Sequence, residues 1–199
     1  AAQPEMIVEH YTKDNGLLGN TLYCAHKDKD GFLWLGTWHG LCSFDGAEFR
    51  PYLTRHNQHS DLPPRKVRNI VEDNDGNLWI RNTDNHVYLF DKVKETYHDI
   101  YNELKRHSTN VQVIKIQLIE NGHVLLLTRN KDLYEAYLQK DGKIIVNKIY
   151  DSRYDVDGAT MRLRHNVYGE NDKYVYWISR QLNTDVVVKK SKRRYFSSS

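Results

Sequence analysis

The stretch "DGFLWLGTWHGLCSFDGAEFRPY", residues 30–52, alternates turn residues with short apolar bursts. It contains two Trp, four Gly and three Phe, and its apolar positions follow neither a helical period nor strict strand alternation. Asp-Gly between β-prone runs is a strong hairpin signal, because glycine accepts the positive φ that a tight turn needs. We therefore interpret the stretch as short antiparallel strands that are joined by tight turns.

The same arrangement recurs along the chain. In "DNDGNLWIRNTDNHVYLFDKVKETYHDIY", residues 73–101, Trp79 takes the place of Trp34 after 45 residues. A third, more divergent copy has Leu125 at this place, 46 residues further on, and a fourth restores the aromatic residue as Trp177. A period in this range is typical of propeller blades or solenoid units.

Each unit divides into four short strands. In the first unit these are "NTLYCAHKD", "FLWLGTW", "LCSFD" and "FRPYL", with turn residues between them. Four antiparallel strands per unit make one propeller blade, and no unit contains the amphipathic helix that a helical solenoid requires. We expect an all-β fold, a β-propeller of four-stranded antiparallel blades that occupies residues 1–199, with blades at about 17–53, 62–101, 110–150 and 160–199.

Two irregularities interrupt the repeats. The spacing to Trp177 needs an insertion, which we place at residues 154–158, and residues 101–108, "YNELKRHS", predict a short connecting helix. Both lie between units, so neither changes the predicted blade.

Composition bounds the function without deciding it. Of 199 residues 39% are hydrophobic, which suffices for a core, and no apolar run is long enough to span a bilayer. The net charge of +3 reflects a basic cluster at residues 189–196, which we interpret as a solvated edge strand rather than a nucleic-acid site. The start, "AAQPEMIVEHY", lacks a signal segment, so a cytosolic and a trimmed secreted protein both remain open.

The two cysteines, Cys24 and Cys42, lie on the predicted first and third strands of one unit. Neighbouring strands are about 4.8 Å apart, so a strand between the two keeps them beyond disulfide reach. We expect two buried free thiols.

The recurring aromatic and acidic residues each allow a functional and a structural interpretation. Trp34, Trp79 and Trp177 could stack on sugars or bases, but their recurrence at one place favours packing between blades. The "DKDG" and "DNDG" turns do not place carboxylates at the spacing of a calcium-binding EF-hand loop, which favours hairpins. We expect no metal and no cofactor.

The first unit runs from Gly16-Leu17 through Asp28-x-x-Gly31 and Trp34-Leu35-Gly36-Thr37 to Gly40-Leu41, and in this order of residues it resembles the two-component regulator propeller repeat. The second unit departs from that pattern at Arg81-Asn82, where Gly-Thr is expected, and at Asn85-His86, where Gly-Leu is expected. The residues of the first unit that match the pattern are Gly16, Leu17, Asn20, Asp28, Gly31, Trp34, Gly36, Thr37, Gly40, Leu41, Phe44, Asp45, Phe49 and Tyr52.

The resemblance implies the sensing part of a hybrid two-component system, of the kind best known in Bacteroides-type gut bacteria. Such sensors lie in the periplasm, often detect glycan breakdown products, and continue into further blades, a small β-sandwich, a membrane span, and histidine kinase and regulator modules. We therefore expect an N-terminal fragment of a larger propeller; a closed four-blade ring is the alternative. The resemblance also implies a homodimer in the intact protein and membrane attachment only through segments C-terminal to this chain.

The turns between the second and third strands share a face with the connections between blades, which makes that face the predicted binding surface. Its Trp could stack on a sugar ring, and its Arg, Asn and Gln side chains could bind hydroxyls or a carboxylate. The candidate ligand-binding residues are Trp38, His39, Asn82, Asp84, Arg129, Asn130, Arg180 and Gln181.

We therefore predict a ligand-sensing input region that binds a small carbohydrate or an acidic sugar and controls transcription through signalling. The alternative is a protein-interaction or dimerisation scaffold. A propeller lyase or glycoside hydrolase is less favoured, because Asp84 lacks a convincing acidic partner in another unit. We expect no catalysis by this chain and no binding of nucleic acid.

Overall fold

Each sequence repeat forms one antiparallel sheet in the computed structural model. The structure describes residues 8–55, 57–119, 122–130 and 132–150, together with the backbone of strands in the fourth repeat. Strands pair in chain order within every sheet, so consecutive strands form hairpins. The predicted all-β propeller of four-stranded antiparallel blades is confirmed.

We number the four sheets as blades 1 to 4. Blade 1 consists of β1 (Leu22–Lys27), β2 (Leu33–Thr37), β3 (Leu41–Phe44) and β4 (Phe49–Pro51). Blade 2 consists of β5 (Val67–Glu72), β6 (Leu78–Asn82), β7 (Val87–Asp91) and β8 (Thr96–Asp99). Blade 3 consists of β9 (Val113–Leu118), β10 (Val124–Thr128), β11 (Leu133–Leu138) and β12 (Ile144–Tyr150). In blade 4 the described strands are β13 (Leu163–Glu170), β14 (Tyr174–Gln181) and β15 (Thr184–Ser191).

Two short helices lie outside the sheets. A 3-10 helix, Lys13–Asn15, precedes blade 1, and α1, Tyr101–Lys105, lies between blades 2 and 3, within the predicted connecting segment. The predicted insertion at 154–158 falls outside the described residues. In the described part of the chain no helix combines the length and the apolar character of a membrane span.

The recurring tryptophans lie between consecutive blades. Trp34 is 4% exposed, and its ring centroid lies 5.7 Å from that of Phe90 in blade 2. Trp79 is fully buried, in a cluster that includes Val113 of blade 3. The prediction that these two side chains pack the core is confirmed; the side chain of Trp177 lies outside the described part of the structure.

The first hairpin turn of blades 1 and 2 is built by an aspartate that precedes the tryptophan by six residues. Asp28 Oδ1 accepts two backbone N–H groups of its turn, and Oδ2 accepts Nε1–H of Trp34 at 2.8 Å. Asp73 repeats both interactions, with Trp79 Nε1 at 2.9 Å. The carboxylates of these turns therefore hold a hairpin to the inter-blade core.

The cysteines lie on the expected strands and are free, but the prediction that both are buried holds only for Cys42. Cys24 on β1 is half-buried and Cys42 on β3 is buried, with β2 between them, and both thiols are free. Burial raises the pKa of Cys24 to about 11. The thiol is therefore protonated at neutral pH, as in a structural cysteine.

An ion cluster joins blades 1 and 2 near the first hairpin turns. Lys92, which follows β7, lies with its Nζ 2.8 Å from Asp28 Oδ2 and 3.0 Å from Glu72 Oε1. Burial works against the charge of Lys92, but hydrogen bonds to both carboxylates raise its pKa above the ordinary value. Its stabilising contribution is therefore present below the ordinary lysine pKa and is lost only as pH rises through the higher folded value.

Lys92→Met should lower the free energy of unfolding by about 2–3 kcal/mol at neutral pH, because two poorly exposed carboxylates lose their cation. Burial alone would raise the pKa of Asp28, but hydrogen bonds from Lys92, Trp34 and the backbone bring it below the ordinary 3.8. The contribution of Asp28 is thus present above that ordinary pKa and is lost as pH falls through the folded value. Urea unfolding at neutral and at acid pH should show the difference between variant and wild type shrinking in acid.

Lys94→Met is the matched control, because Lys94 lies in the same turn. Its Nζ is 3.3 Å from Asp91 Oδ2, but its side chain is 71% exposed. We expect an effect below about 1 kcal/mol, as for other exposed ion pairs. Equal losses at Lys92 and Lys94 would contradict the stabilising role of the ion cluster.

Candidate ligand-binding surface

In blades 1 to 3 the second hairpin turn, between the second and third strands, is hydrogen-bonded to the residue that precedes the first strand of the same blade. The donor follows the acceptor by 17 residues each time. The turns and the connections between blades therefore lie on one surface, which we call the turn face. The bonds run from Trp38 N to Thr21 O (3.2 Å), from Thr83 N to Lys66 O (3.1 Å) and from Arg129 N to Gln112 O (2.8 Å).

The turn face is continuous across blades 1 to 3. Trp38 O accepts the N–H of Lys66 at 2.9 Å, which links the turn of blade 1 to the start of blade 2. Asn85 O accepts the N–H of Val113 at 3.2 Å and links blade 2 to blade 3 in the same way. Because backbone positions define it, the turn face presents side chains from three blades at set places.

A polar side chain at the end of the second strand holds each turn. Thr37 Oγ1 accepts the N–H groups of His39 and Gly40, both at 3.1 Å. Asn82, only 6% exposed, uses Oδ1 in the same way for two N–H groups of its own turn at 3.0 Å. Thr128 Oγ1 accepts the N–H of Asp132 in blade 3 at 3.1 Å. The departure of blade 2 from Gly-Thr thus preserves the turn, and the carboxamide oxygen of Asn82 is engaged in holding it.

The structure brings the candidate residues of three blades onto the turn face and separates them by exposure. Asn82 is buried under its turn, whereas the other candidates of blades 1 to 3 are exposed. Arg180 and Gln181 end β14, where the structure describes the backbone alone. The exposed candidates are Trp38, His39, Asp84, Arg129 and Asn130.

Trp38 has a cationic neighbour that its sequence position did not reveal. The ring is 48% exposed, and Lys66 Nζ lies 4.5 Å from its centroid, within the range of a cation–π interaction. One face of the indole is thus occupied by an ammonium group. A sugar ring that stacks on Trp38 would use the opposite face and would have a positive charge close by.

Three cationic side chains of blade 2 lie on or next to β5 and β6, close to the turn face. Lys66 precedes β5, Arg68 lies on β5, and Arg81 lies near the end of β6. Burial and the charge of Arg68 lower the pKa of Arg81. Sequence reasoning missed Arg68 and Arg81 because it searched turns, and both lie within strands.

Carboxylates of blade 2 surround Tyr88 instead. Burial, followed by the charges of Asp99, Asp61 and Asp84, raises the pKa of Tyr88 to about 12. Asp61 Oδ2 accepts the N–H of Asp99 at 2.8 Å, and Asp99 Oδ1 accepts that of Tyr101 at 2.9 Å. Asp61 and Asp99 therefore each accept a backbone N–H group. Among the described residues no group of three or more His, Cys, Asp or Glu side chains is arranged to hold a metal ion.

Consecutive antiparallel sheets, of which blades 1 to 3 are joined along a common face of turns, define a β-propeller architecture. Within it, residues 16–39 and 61–84 match the two-component regulator propeller family. Each segment covers the first two strands of its blade, including the first hairpin turn. The recognition of this repeat from the sequence is confirmed. No curated protein matches the chain.

Two solved structures share the fold. The extracellular domain of a hybrid two-component system from B. thetaiotaomicron is 19% identical with a TM-score of 0.59, over 86% of this chain and 24% of that one. The extracellular domain of a one-component system from the same bacterium is 22% identical with a TM-score of 0.51, over 84% of this chain and 21% of that one. The chain thus spans less than a quarter of the length of either, and the likeness establishes a common fold.

Proposed function

We propose that this chain is part of the extracytoplasmic input region of a hybrid two-component sensor, and that its turn face binds a small carbohydrate or an acidic sugar. The observation that carries the proposal is an exposed aromatic ring, Trp38, with Lys66 beside it on a surface built from three blades. The two regulator propeller repeats support the sensor class. The architecture shared with an extracellular sensor domain supports a periplasmic location.

The chemistry of the turn face suits a sugar ligand. An aromatic ring offers a flat apolar surface to the face of a sugar ring, and guanidinium and amide groups bind hydroxyls or a carboxylate. Arg129 and Asn130 of blade 3 are exposed on the same surface as Trp38. The affinity of a ligand that contacts several blades at once would depend on how those blades are arranged.

Signalling requires that the ligand bind two states of the intact protein with different affinities. We infer that the intact protein is a homodimer whose kinase modules lie outside this chain, and that ligand binding at the propeller changes the arrangement of the dimer. The chain itself performs no phosphoryl transfer in this proposal. Its contribution is a binding free energy that depends on conformation.

A protein-interaction scaffold is the second candidate, and one observation favours it. Leu53 is 40% exposed and lies against Gly40, which follows directly on the turn residues Trp38 and His39. Exposed apolar patches are typical of protein contacts, and Leu53 would contribute to such a patch here. A glycoside hydrolase is less favoured, because Asp61 and Asp99 are engaged with backbone N–H groups rather than directed at a substrate.

A thermal-shift screen of the chain against glycan fragments and acidic sugars tests the proposal. A ligand that binds only the folded state raises the apparent stability by about 2.7 kcal/mol at one hundred times its Kd. We expect one sugar class to raise Tm reproducibly and Trp38→Ala to abolish that shift. Phe32→Ala is the matched control, because Phe32 is 43% exposed beside the first hairpin turn rather than on the turn face.

The outcomes separate the candidates. A Tm shift that survives Trp38→Ala, or that Phe32→Ala abolishes equally, would place the ligand away from the turn face. A chain that unfolds cooperatively and responds to no sugar would contradict carbohydrate binding by these blades and would favour the scaffold.

A further inference from the structure

Two arginines, Arg68 and Arg81, lie on neighbouring strands of blade 2 close to the turn face. Arg81 on β6 pairs in register with Asn69, and Arg68 lies at the irregularity that precedes Asn69 on β5. The guanidinium carbon of Arg68 is 5.1 Å from the ring centroid of Tyr23 in blade 1. Arg81 Nη1 donates to Asn85 Oδ1 of the adjacent turn at 3.1 Å. Both side chains are therefore held by neutral groups.

Among the described residues neither arginine is paired with a carboxylate. Within the part of the chain that the structure describes, no ion pair involves Arg68 or Arg81, and Arg81 Nε is buried without a hydrogen-bond partner. Arg50, by contrast, lies with Nη2 2.7 Å from Glu95 Oε1. Burial and the charge of Arg68 also lower the pKa of Arg81, as expected for two cations held close together. An unpaired buried donor is costly, and its presence calls for an explanation.

Three described carboxylates act on Tyr88 and form no ion pair with either arginine. Asp61, Asp84 and Asp99 act on Tyr88, which pairs in register with Ile80. Consecutive side chains of a strand point to opposite faces, so the side chain next in sequence to Ile80 points away from Tyr88. In blade 2 the two arginines thus lie on β5 and β6, whereas the three carboxylates act on Tyr88.

We propose that Arg68 and Arg81 form an anion-binding subsite that holds the carboxylate or sulfate group of a sugar bound on the turn face. A planar guanidinium matches the geometry of such groups, and two guanidiniums from neighbouring strands provide donors from two directions. An anion supplies the counter-charge that the described carboxylates do not supply. The sugar part of this inference rests on the proposed function, whereas the binding of an anion by the two arginines does not. The inference narrows the ligand class to acidic sugars.

Isothermal titration of the chain with glucuronate, glucose and inorganic sulfate tests the subsite. We expect wild type to bind glucuronate about tenfold or more tightly than glucose, as the loss of a charge-assisted hydrogen bond predicts. Arg81→Gln and Arg68→Gln should each remove that preference and weaken sulfate binding. Arg68 is exposed, so its variant keeps the test valid if the half-buried Arg81 proves necessary for folding. Arg106→Gln, at the exposed end of α1, removes the same charge and should change nothing.

The results distinguish the subsite from the proposed function. Sulfate binding that depends on both arginines, without any sugar binding, would support the subsite and contradict the carbohydrate proposal. Equal affinities for glucuronate and glucose that neither variant alters would overturn the subsite while leaving a sugar site in place. Equal losses in Arg106→Gln would also overturn it, because they would reflect net charge alone.

Discussion

Trp79→Ala should lower the free energy of unfolding by about 3–5 kcal/mol, the range for removing a large buried aromatic side chain. Trp79 is fully buried in the cluster between blades 2 and 3. The substitution removes packing on both sides of that interface and leaves a cavity that rigid sheets close only partly. Equilibrium unfolding in urea, followed by circular dichroism, measures the loss.

Trp38→Ala is the matched control, since it removes the same side chain from an exposed turn. Trp38 is 48% exposed, and the structure gives its ring a single cationic neighbour, Lys66, within the described residues. We expect a change below about 1 kcal/mol. If both substitutions destabilised the chain equally, the recurring tryptophan would not be an inter-blade core residue. The same variant therefore separates stability from ligand binding.

Asp73→Ala should lower the free energy of unfolding by about 2–4 kcal/mol, because one buried donor and two partly buried donors lose their acceptor at once. The Asp73 carboxylate accepts Nε1–H of Trp79 and the backbone N–H groups of Asp75 and Asn77. Neither water nor another side chain reaches the indole N–H, since Trp79 is fully buried. Chemical denaturation at neutral pH gives the value.

Asp45→Ala provides the comparison for Asp73. Asp45 Oδ1 also accepts two backbone N–H groups of a hairpin turn, both at 2.8 Å, but it is exposed and bonds no tryptophan. Its loss should cost much less than the loss of Asp73, because water can replace the carboxylate at an exposed turn. In a Trp79→Phe background, Asp73→Ala should cost less than in wild type, because the indole donor is already absent. Additive losses in that double variant would argue against the coupling.

Blade 3 shows the natural counterpart of this coupling. Ile119 and Leu125 occupy the positions that Asp73 and Trp79 hold in blade 2. Replacing both partners of a buried hydrogen bond by apolar groups is far less costly than removing one. In the third repeat both members of the pair are apolar, so neither leaves a buried donor or acceptor without its partner.

Much of each blade could be predicted because its determinants are local. The Asp-Gly turn, the strand that follows it and the Trp lie within a few residues, and their hydrogen bonds join atoms close in sequence. The strand order and the separation of Cys24 from Cys42 follow from the same local hairpins. The candidate turns also lie where the spacing placed them, since each is bonded to the start of its own blade.

The equivalence of Thr37 and Asn82 could not be predicted from their chemical types. A hydroxyl and a carboxamide hold the same turn, because each presents one oxygen to two N–H groups. The pattern therefore marked Asn82 as a departure and as a candidate for ligand binding. Asn82 is buried because the turn folds over its side chain, and the sequence pattern does not show that arrangement.

By itself, the sequence determined the repeat, the hairpins and the inter-blade tryptophans, since turn chemistry and apolar periodicity act between near neighbours. Tertiary structure decided which charges meet. Lys92 reaches Asp28 across 64 residues, and Lys66 lies over Trp38. Arg68 and Arg81 come together only because β5 pairs with β6 at one register. Such contacts depend on how one blade packs against the next, and that packing is set by the whole apolar interface rather than by any short motif.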